Sequence, residues 1–290
     1  MTIKCYNITM YDIIIPNWNQ SGFAIKLLES IKKHSKDYRV IFVDNGSEKA
    51  ELALIEPVLR TIPHLLIKNK KNMGFVKAVN QGLSAATAPY IVLQNNDTEV
   101  VHNWLPRLQS AIDNNEGAGI SGPRTNAEGS WQGKWTKKNG DLVLGDSAML
   151  AFFCTMFKKE LIDQVGLLDE DYGVGFADDD DYCDRAKKLG WKLVLAQDLM
   201  IPHYHNATFD AIYSKEEIKD MKEANLAMFQ KKTGKKLSGS PNLDTHITKE
   251  PTKEPEVKRY VYLVSCEVPL ETLIPDKNKK MVKMINAEKL

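Results

Sequence analysis

The sequence predicts an α/β protein with a mainly parallel central sheet. Short apolar runs rich in β-branched residues recur over residues 11–15, 38–43, 65–67 and 90–93. Longer stretches with helical spacing separate them, and strand–helix alternation of this kind implies parallel strands joined by right-handed crossovers. Polar clusters stand directly behind three of the runs: Pro16-Asn17-Trp18, Asp44-Asn45-Gly46 and Asn95-Asn96-Asp97. The runs are continuously apolar rather than alternating, as expected of strands covered on both faces.

Residues 11–19 read as the first buried strand, with Pro16 ending it because proline lacks the ladder N–H. Residues 21–33 space Phe23, Leu27, Leu28 and Ile31 for one helical face. Residues 38–43 form the second strand and stop at the turn signal Asp44-Asn45-Gly46-Ser47. A helix is expected over 48–60, a short strand over 65–68 and a helix over 74–86. Residues 90–94 form the fourth strand. It ends abruptly at Asn95-Asn96-Asp97-Thr98, a sequence that also suits a turn or a helix N-cap. A helix over 103–114 and a strand over 118–123 follow.

Beyond them, Gly129 to Trp135 holds Trp131 and Trp135 among small residues, which suits stacking on sugars or bases as well as packing under a loop. Residues 149–157 are apolar and expected to be buried. Four consecutive aspartates, Asp178 to Asp181, open a helical stretch that closes at Gly190. The helix dipole favours acids there, but four exceed what capping needs, and their mutual repulsion would raise some of their pKa values, as a general base requires. A strand over 192–195 leads to His203 and His205, and a charged amphipathic helix spans 214–232.

The composition sets the class. The 290 residues are 43% hydrophobic and 27% charged, with a net charge of +1, so the chain can bury an ordinary core and nothing in the balance demands a nucleic-acid or membrane partner. Cys5, Cys154, Cys183 and Cys266 form no C-x-x-C pair, which disfavours zinc and redox motifs. No leader pattern or bilayer-length apolar run occurs, so a cytoplasmic protein is expected, with peripheral membrane contact left open. The organisation expected is a main domain over 1–236, a linker over 237–256 carrying a tandem Thr-Lys-Glu-Pro, and a C-terminal extension over 257–290. That extension could dock on the main domain, contact an acceptor or pair subunits in a homo-oligomer.

In open α/β sheets ligands bind beyond the carboxyl ends of the strands, so the three polar clusters converge on one expected site. A carboxylate beside two amides, as at Asn95-Asn96-Asp97, suits a hard divalent cation. The Gly-x-Gly-x-x-Gly fingerprint is absent after the first strand, against an ordinary dinucleotide site. No Ser-His-Asp arrangement is evident.

The ordered set Ile15-Pro16-Asn17-Trp18-Asn19, Val43-Asp44-Asn45-Gly46-Ser47, Asn72-Met73-Gly74-Phe75 with Asn80 and Gly82, Asn95-Asn96-Asp97, Asp178-Asp179-x-Asp181 through Arg185 and Gly190-Trp191, and His203 resembles family 2 inverting glycosyltransferases. The likeness is to rhamnosyltransferase-like members of the GT-A (Rossmann-like) fold and covers about residues 10 to 232. The resemblance implies a hexosyl- or pentosyltransferase using a UDP- or dTDP-sugar and Mn²⁺ or Mg²⁺. It implies that Asp44 contacts the pyrimidine base, that Pro16 and Asn17 flank the nucleotide, and that Asn72, Gly74 and Asn96 line the donor. Asp97 and His203 would hold the metal, and Asp179 would be the catalytic base. Asp178 stands where relatives carry Glu, and Asp181 would be structural or acceptor-orienting. Read from their Gly-rich loop rather than from the resemblance, Trp131 and Trp135 are candidates to support the acceptor. The acceptor itself is left among polysaccharide, lipid-linked sugar, protein and modified nucleic acid. Two rivals stand beside this: a sugar nucleotidyltransferase, which would want a Gly-rich basic phosphate loop after the first strand, and an inactive sugar-binding protein on the same fold.

Overall fold

The computed structural model describes residues 10–126, 132–133, 139–146, 148–204, 214–235 and 246–247. Trp131, Trp135, His205 and the C-terminal extension lie outside the described residues. Two units divide the chain, Met1–Glu256 and Val257–Leu290, and everything described belongs to the first.

Its strands are β1 (Tyr11–Asn17), β2 (Tyr38–Asp44), β3 (His64–Lys68), β4 (Tyr90–Gln94), β5 (Ala118–Thr125), β6 (Asp141–Val143), β7 (Cys154–Lys158), β8 (Lys192–Ile201) and β9 (His246–Ile247). They form one sheet in the order β3-β2-β1-β4-β7-β5-β8-β6-β9. The pairs β3/β2, β2/β1, β1/β4 and β5/β8 are parallel, whereas β7 runs antiparallel to both β4 and β5. The helices are α1 (Ser21–His34), α2 (Lys49–Leu59), α3 (Phe75–Ala85), α4 (Trp104–Asp113), α5 (Lys159–Val165), α6 (Asp178–Lys188) and α7 (Lys215–Thr233). Among the described residues no helix is long and apolar enough to cross a membrane.

The α/β reading holds, and the two-sided burial of the strands explains it. Ile13 and Ile15 of β1 face one apolar layer with Leu27, Leu28 and Ile31 of α1 and Trp104 and Leu108 of α4. Ile14 faces the other, with Val76 and Val79 of α3, Leu161 of α5, Tyr182 of α6 and Phe229 of α7. Successive side chains of a strand point to opposite faces, so a strand between two helical layers must be apolar at every position. Asp12 is the exception. It is fully buried, and its carboxylate accepts from Arg39 Nε and Nη2 at 2.8 and 2.9 Å and from the amides of Thr87 and Ala88. Four donors offset the desolvation of that charge. The two described cysteines, Cys154 and Cys183, are buried free thiols.

One expectation is corrected. Pro16 does not end β1, which continues to Asn17, with Pro16 opposite Val43 and Asn17 opposite Asp44. The Asn17 carbonyl accepts from the Asn45 amide, so odd-numbered residues of β1 turn their backbone groups to β2. Pro16 therefore turns toward β4, beyond the last pair there, Ile14 with Leu93. No ladder bond is lost at that point.

Candidate active site

The three strand-end clusters meet. Asn17 and Asp44 are partners in the β1/β2 register. From the loop after β4, Asn96 donates to Asn17 Oδ1 at 2.8 Å. The Asn17, Asp44, Asn45 and Asn96 side chains are all buried. Asp44 accepts from the Ser47 amide at 3.3 Å, and Ser47 Oγ accepts from the Asn19 amide at 2.7 Å, which folds the β2 loop back over the β1 loop.

Asn45 organises the next segment. Its amide donates to Asn72 Oδ1 (2.9 Å) and the Gly74 carbonyl (3.1 Å), while its Oδ1 accepts from Asn69 Nδ2 and the Met73 amide, both at 3.0 Å. Asn72 Oδ1 also accepts from the Gly74 amide at 2.9 Å, so Asn72 and Gly74 are held as one turn at the start of α3. Gly46 lets this happen. A Cβ there would lie 2.4 Å from the Lys71 carbonyl carbon, and φ is +81°. The Asp-Asn-Gly sequence reads locally as a turn, so its role as a clasp for residues 69–74 escaped the sequence reading.

Asp97 and His203 come together through a short antiparallel ribbon. Thr98 bridges His203, the Tyr204 amide donates to the Asp97 carbonyl (2.9 Å), and the Glu99 amide donates to the Pro202 carbonyl (3.2 Å). The His203 backbone amide is held by Asn126 Oδ1 at 2.7 Å. Both side chains are about nine-tenths buried, and Nε2 of His203 lies 3.1 Å from Oδ1 of Asp97. Neighbouring ligands of an octahedral Mg²⁺ are about 3 Å apart, so the pair has the spacing and the oxygen and nitrogen atoms of a cation site. Among the described residues no group of three His, Cys, Asp or Glu side chains gathers for a metal, so phosphate oxygens and water would complete the shell, as is usual for Mg²⁺.

Asp179 lies in the first turn of α6. Phe176 and Ala177, just before it, hold φ of +70° and +63°, and Gly175 +122°. Such backbone is costly and persists only where its surroundings enforce it. Here Asn225 of α7 does so, donating to the Tyr172 and Gly175 carbonyls at 2.9 and 2.6 Å. Burial raises the pKa of Asp178, Asp179 and Asp180. Repulsion from Asp179 adds to the rise at its two neighbours, and Asp180 is pushed up to about 8. Asp179 accepts from the Asp180 amide at 2.9 Å, and this bond and the Phe152 backbone amide oppose the rise without cancelling it. Asp181 is buried and bonds Arg185 Nε at 2.8 Å; the Arg185 guanidinium also holds the Val165 and Leu167 carbonyls, so Asp181 braces α6.

Residues 151–153 connect the two halves of the site. The Phe152 amide reaches Asp179, the Phe153 carbonyl accepts from the Asn95 amide at 2.8 Å, and the Phe153 ring stacks on His203. Gln132, fully buried, accepts from the Ala151 amide and donates to the Pro123 carbonyl, each at 2.8 Å. Two phenylalanines in an apolar run read as core, so no sequence signal marked them.

Residues 12–166, just over half of the chain, match the family described as Glycosyl transferase family 2. The putative glycosyltransferase TagX of Staphylococcus aureus (strain MRSA252) is 27% identical over 145 residues, 48% of this chain and 40% of TagX. An uncharacterized glycosyltransferase, YfnE of Bacillus subtilis (strain 168), is 26% identical over 112 residues, 38% of this chain and 29% of YfnE. The chain thus spans under half the length of these relatives. Among solved structures, the mannosyltransferase PcManGT from Pyrobaculum calidifontis, in complex with GDP-Man and Mn²⁺, superposes with a TM-score of 0.60 at 15% identity, over 77% of this chain and 63% of that one. S. aureus TarS 1-349 in complex with UDP-GlcNAc does so with a TM-score of 0.58 at 14% identity, over 76% and 66%. The fold is that of the GT-A glycosyltransferases, and the chain belongs to glycosyl transferase family 2.

Proposed function

We propose that this chain transfers a sugar from a UDP- or dTDP-linked donor to an acceptor hydroxyl, with inversion and with Mn²⁺ or Mg²⁺. The observation that carries the reading is the joining of two chemistries by one dipeptide. Phe153 stacks on His203 of the Asp97–His203 pair, and Phe152 holds Asp179. Mn²⁺ in the PcManGT complex and UDP-GlcNAc in the TarS complex add support by likeness.

In this reading Asp44 and Asn17 hold the base at the ends of β2 and β1, and the Asn45 clasp keeps Asn72 and Gly74 against the donor. Asp97 and His203 hold the cation, which supplies Lewis-acid stabilisation of the charge growing on the leaving diphosphate. Asp179, held by the Asp180 amide in the first turn of α6, takes the proton of the acceptor hydroxyl as it attacks the anomeric carbon. The carbon–oxygen bond to the acceptor forms as the bond to the diphosphate oxygen breaks, so one displacement inverts the centre and needs no enzyme nucleophile.

A nucleotidyltransferase fits poorly. The α1 N-terminus, where a phosphate loop would offer free amides, follows Asn17-Trp18-Asn19-Gln20, and its Ser21 amide already donates to Glu51 at 2.8 Å.

Thermal unfolding with UDP, dTDP, GDP or ADP, each with Mn²⁺ or with chelator, tests the reading. A pyrimidine diphosphate at 100 times its Kd should add about 2.7 kcal/mol, and only with Mn²⁺. An equal gain in chelator would remove the metal from the proposal, and a response to GDP alone would remove the pyrimidine preference.

A further inference from the structure

We infer that Phe153 is a positioning residue, whose ring fixes the plane of the His203 imidazole so that Nε2 faces the Asp97 carboxylate. The inference rests on the cation pair proposed above and adds a residue to it.

The backbone of His203 is fixed by the bridge to Thr98 and by Asn126. Neither fixes the ring, because the last torsion of a histidine side chain is soft. Asp97 and Phe153 both act on the ring directly. Asp97 meets its edge at 3.1 Å, and Phe153 covers its face with centroids 5.0 Å apart and planes inclined by 11°. The edge contact is exchanged when a cation binds, since an imidazole ligand offers a lone pair rather than an N–H. The face contact does not depend on that exchange and persists through it.

Phe153 is suited to the task because it is itself immobilised. Its side chain is 3% exposed, and its carbonyl accepts from the Asn95 amide. Its neighbour Phe152 packs edge-on against Phe157 (5.1 Å) and Tyr182 (5.8 Å). The same dipeptide touches the loop that carries Asp97, the histidine and the proposed base. A rotation of the imidazole would misdirect one ligand without unfolding anything.

The test is Mn²⁺ affinity, read by electron paramagnetic resonance of free Mn²⁺ at saturating UDP, in Phe153→Leu, Phe153→Met, Phe153→Tyr and His203→Ala. Leu and Met fill the volume without a ring and should weaken Mn²⁺ binding at least tenfold, as loss of a supporting contact does. Tyr keeps the ring and should bind Mn²⁺ as the wild type does, which a general packing role would not predict. Wild-type affinity in the Leu and Met variants, with affinity lost in His203→Ala, overturns the role of Phe153 and leaves the cation site standing. Wild-type affinity in His203→Ala overturns the cation site and Phe153 with it.

Discussion

Asp97 and His203 meet at 3.1 Å although they follow different strands, one just after β4 and the other just after β8. Their contact depends on the ribbon between residues 97–99 and 202–204 rather than on nearness in sequence. Replacing His203 with Ala should therefore raise the Mn²⁺ concentration needed for half-maximal transfer by tenfold or more. A metal titration at fixed donor would read this, and an unchanged midpoint would remove His203 from the cation site.

Asp179→Asn keeps the size of the side chain and removes the proton acceptor. Transfer should fall by about 10² to 10⁴, the usual contribution of a general base. The nucleotide- and Mn²⁺-dependent thermal shift should remain. Full transfer by this variant would move the base elsewhere.

The aspartate cluster sets a pH dependence of stability. The pKa of Asp180 is pushed up to about 8 by burial and by repulsion from Asp179 and Asp178, whereas an unfolded aspartate titrates near about 4. Between those values the folded state holds a proton that the unfolded state has lost. The stabilisation is complete below about pH 4 and disappears as pH rises through about 8. Asp180→Asn cannot lose that proton. Its Tm in chelator should match the wild type near pH 4 and exceed it at pH 8 by several degrees. A gap that does not widen with pH would refute the assignment.

Asn45→Ala removes four hydrogen bonds from the turn that holds Asn72 and Gly74; Asn72 Oδ1 keeps the Gly74 amide and Asn69 Nδ2 keeps Gln81, so the Met73 amide and the Gly74 carbonyl lose this partner. Unmet groups cost up to about 1–3 kcal/mol each, and these half-buried ones would in part find water. Urea denaturation should show a loss of about 2–4 kcal/mol, together with weaker UDP binding. A stable variant with intact binding would make the clasp incidental.

Much of this was legible in the sequence because burial on both faces leaves a plain mark. The runs at 13–15, 40–43 and 90–93 are apolar at every position, and they are strands. The loops behind β1, β2 and β4 announced themselves by abrupt polarity, and they meet. What stayed hidden has no local signature. β6 is three residues long and is held by pairing with β8 and β9. The seven-residue α5 follows an apolar run without a break in composition. β8 runs on past Leu195 through Gln197 and Asp198, polar residues that end an apolar run on paper; Asp198 instead pairs with Arg107. The insertion of β7 between β4 and β5 is a non-local pairing that no periodicity encodes. Asp12, an acid in an apolar strand, was passed over because its four donors come from elsewhere in the chain.

That insertion has a consequence for synthesis on the ribosome. β3, β2, β1 and β4 form a parallel quartet whose last residue is Gln94, yet the partner for the β4 edge begins only at Cys154. At cellular translation rates that interval lasts roughly 3 to 12 s. For that time the nascent chain carries an open, apolar edge made of Ile91, Val92 and Leu93, the kind that pairs with other chains. Yield in cells should thus depend on how quickly residues 95–158 are translated, and slow codons there should send more of the protein into aggregates.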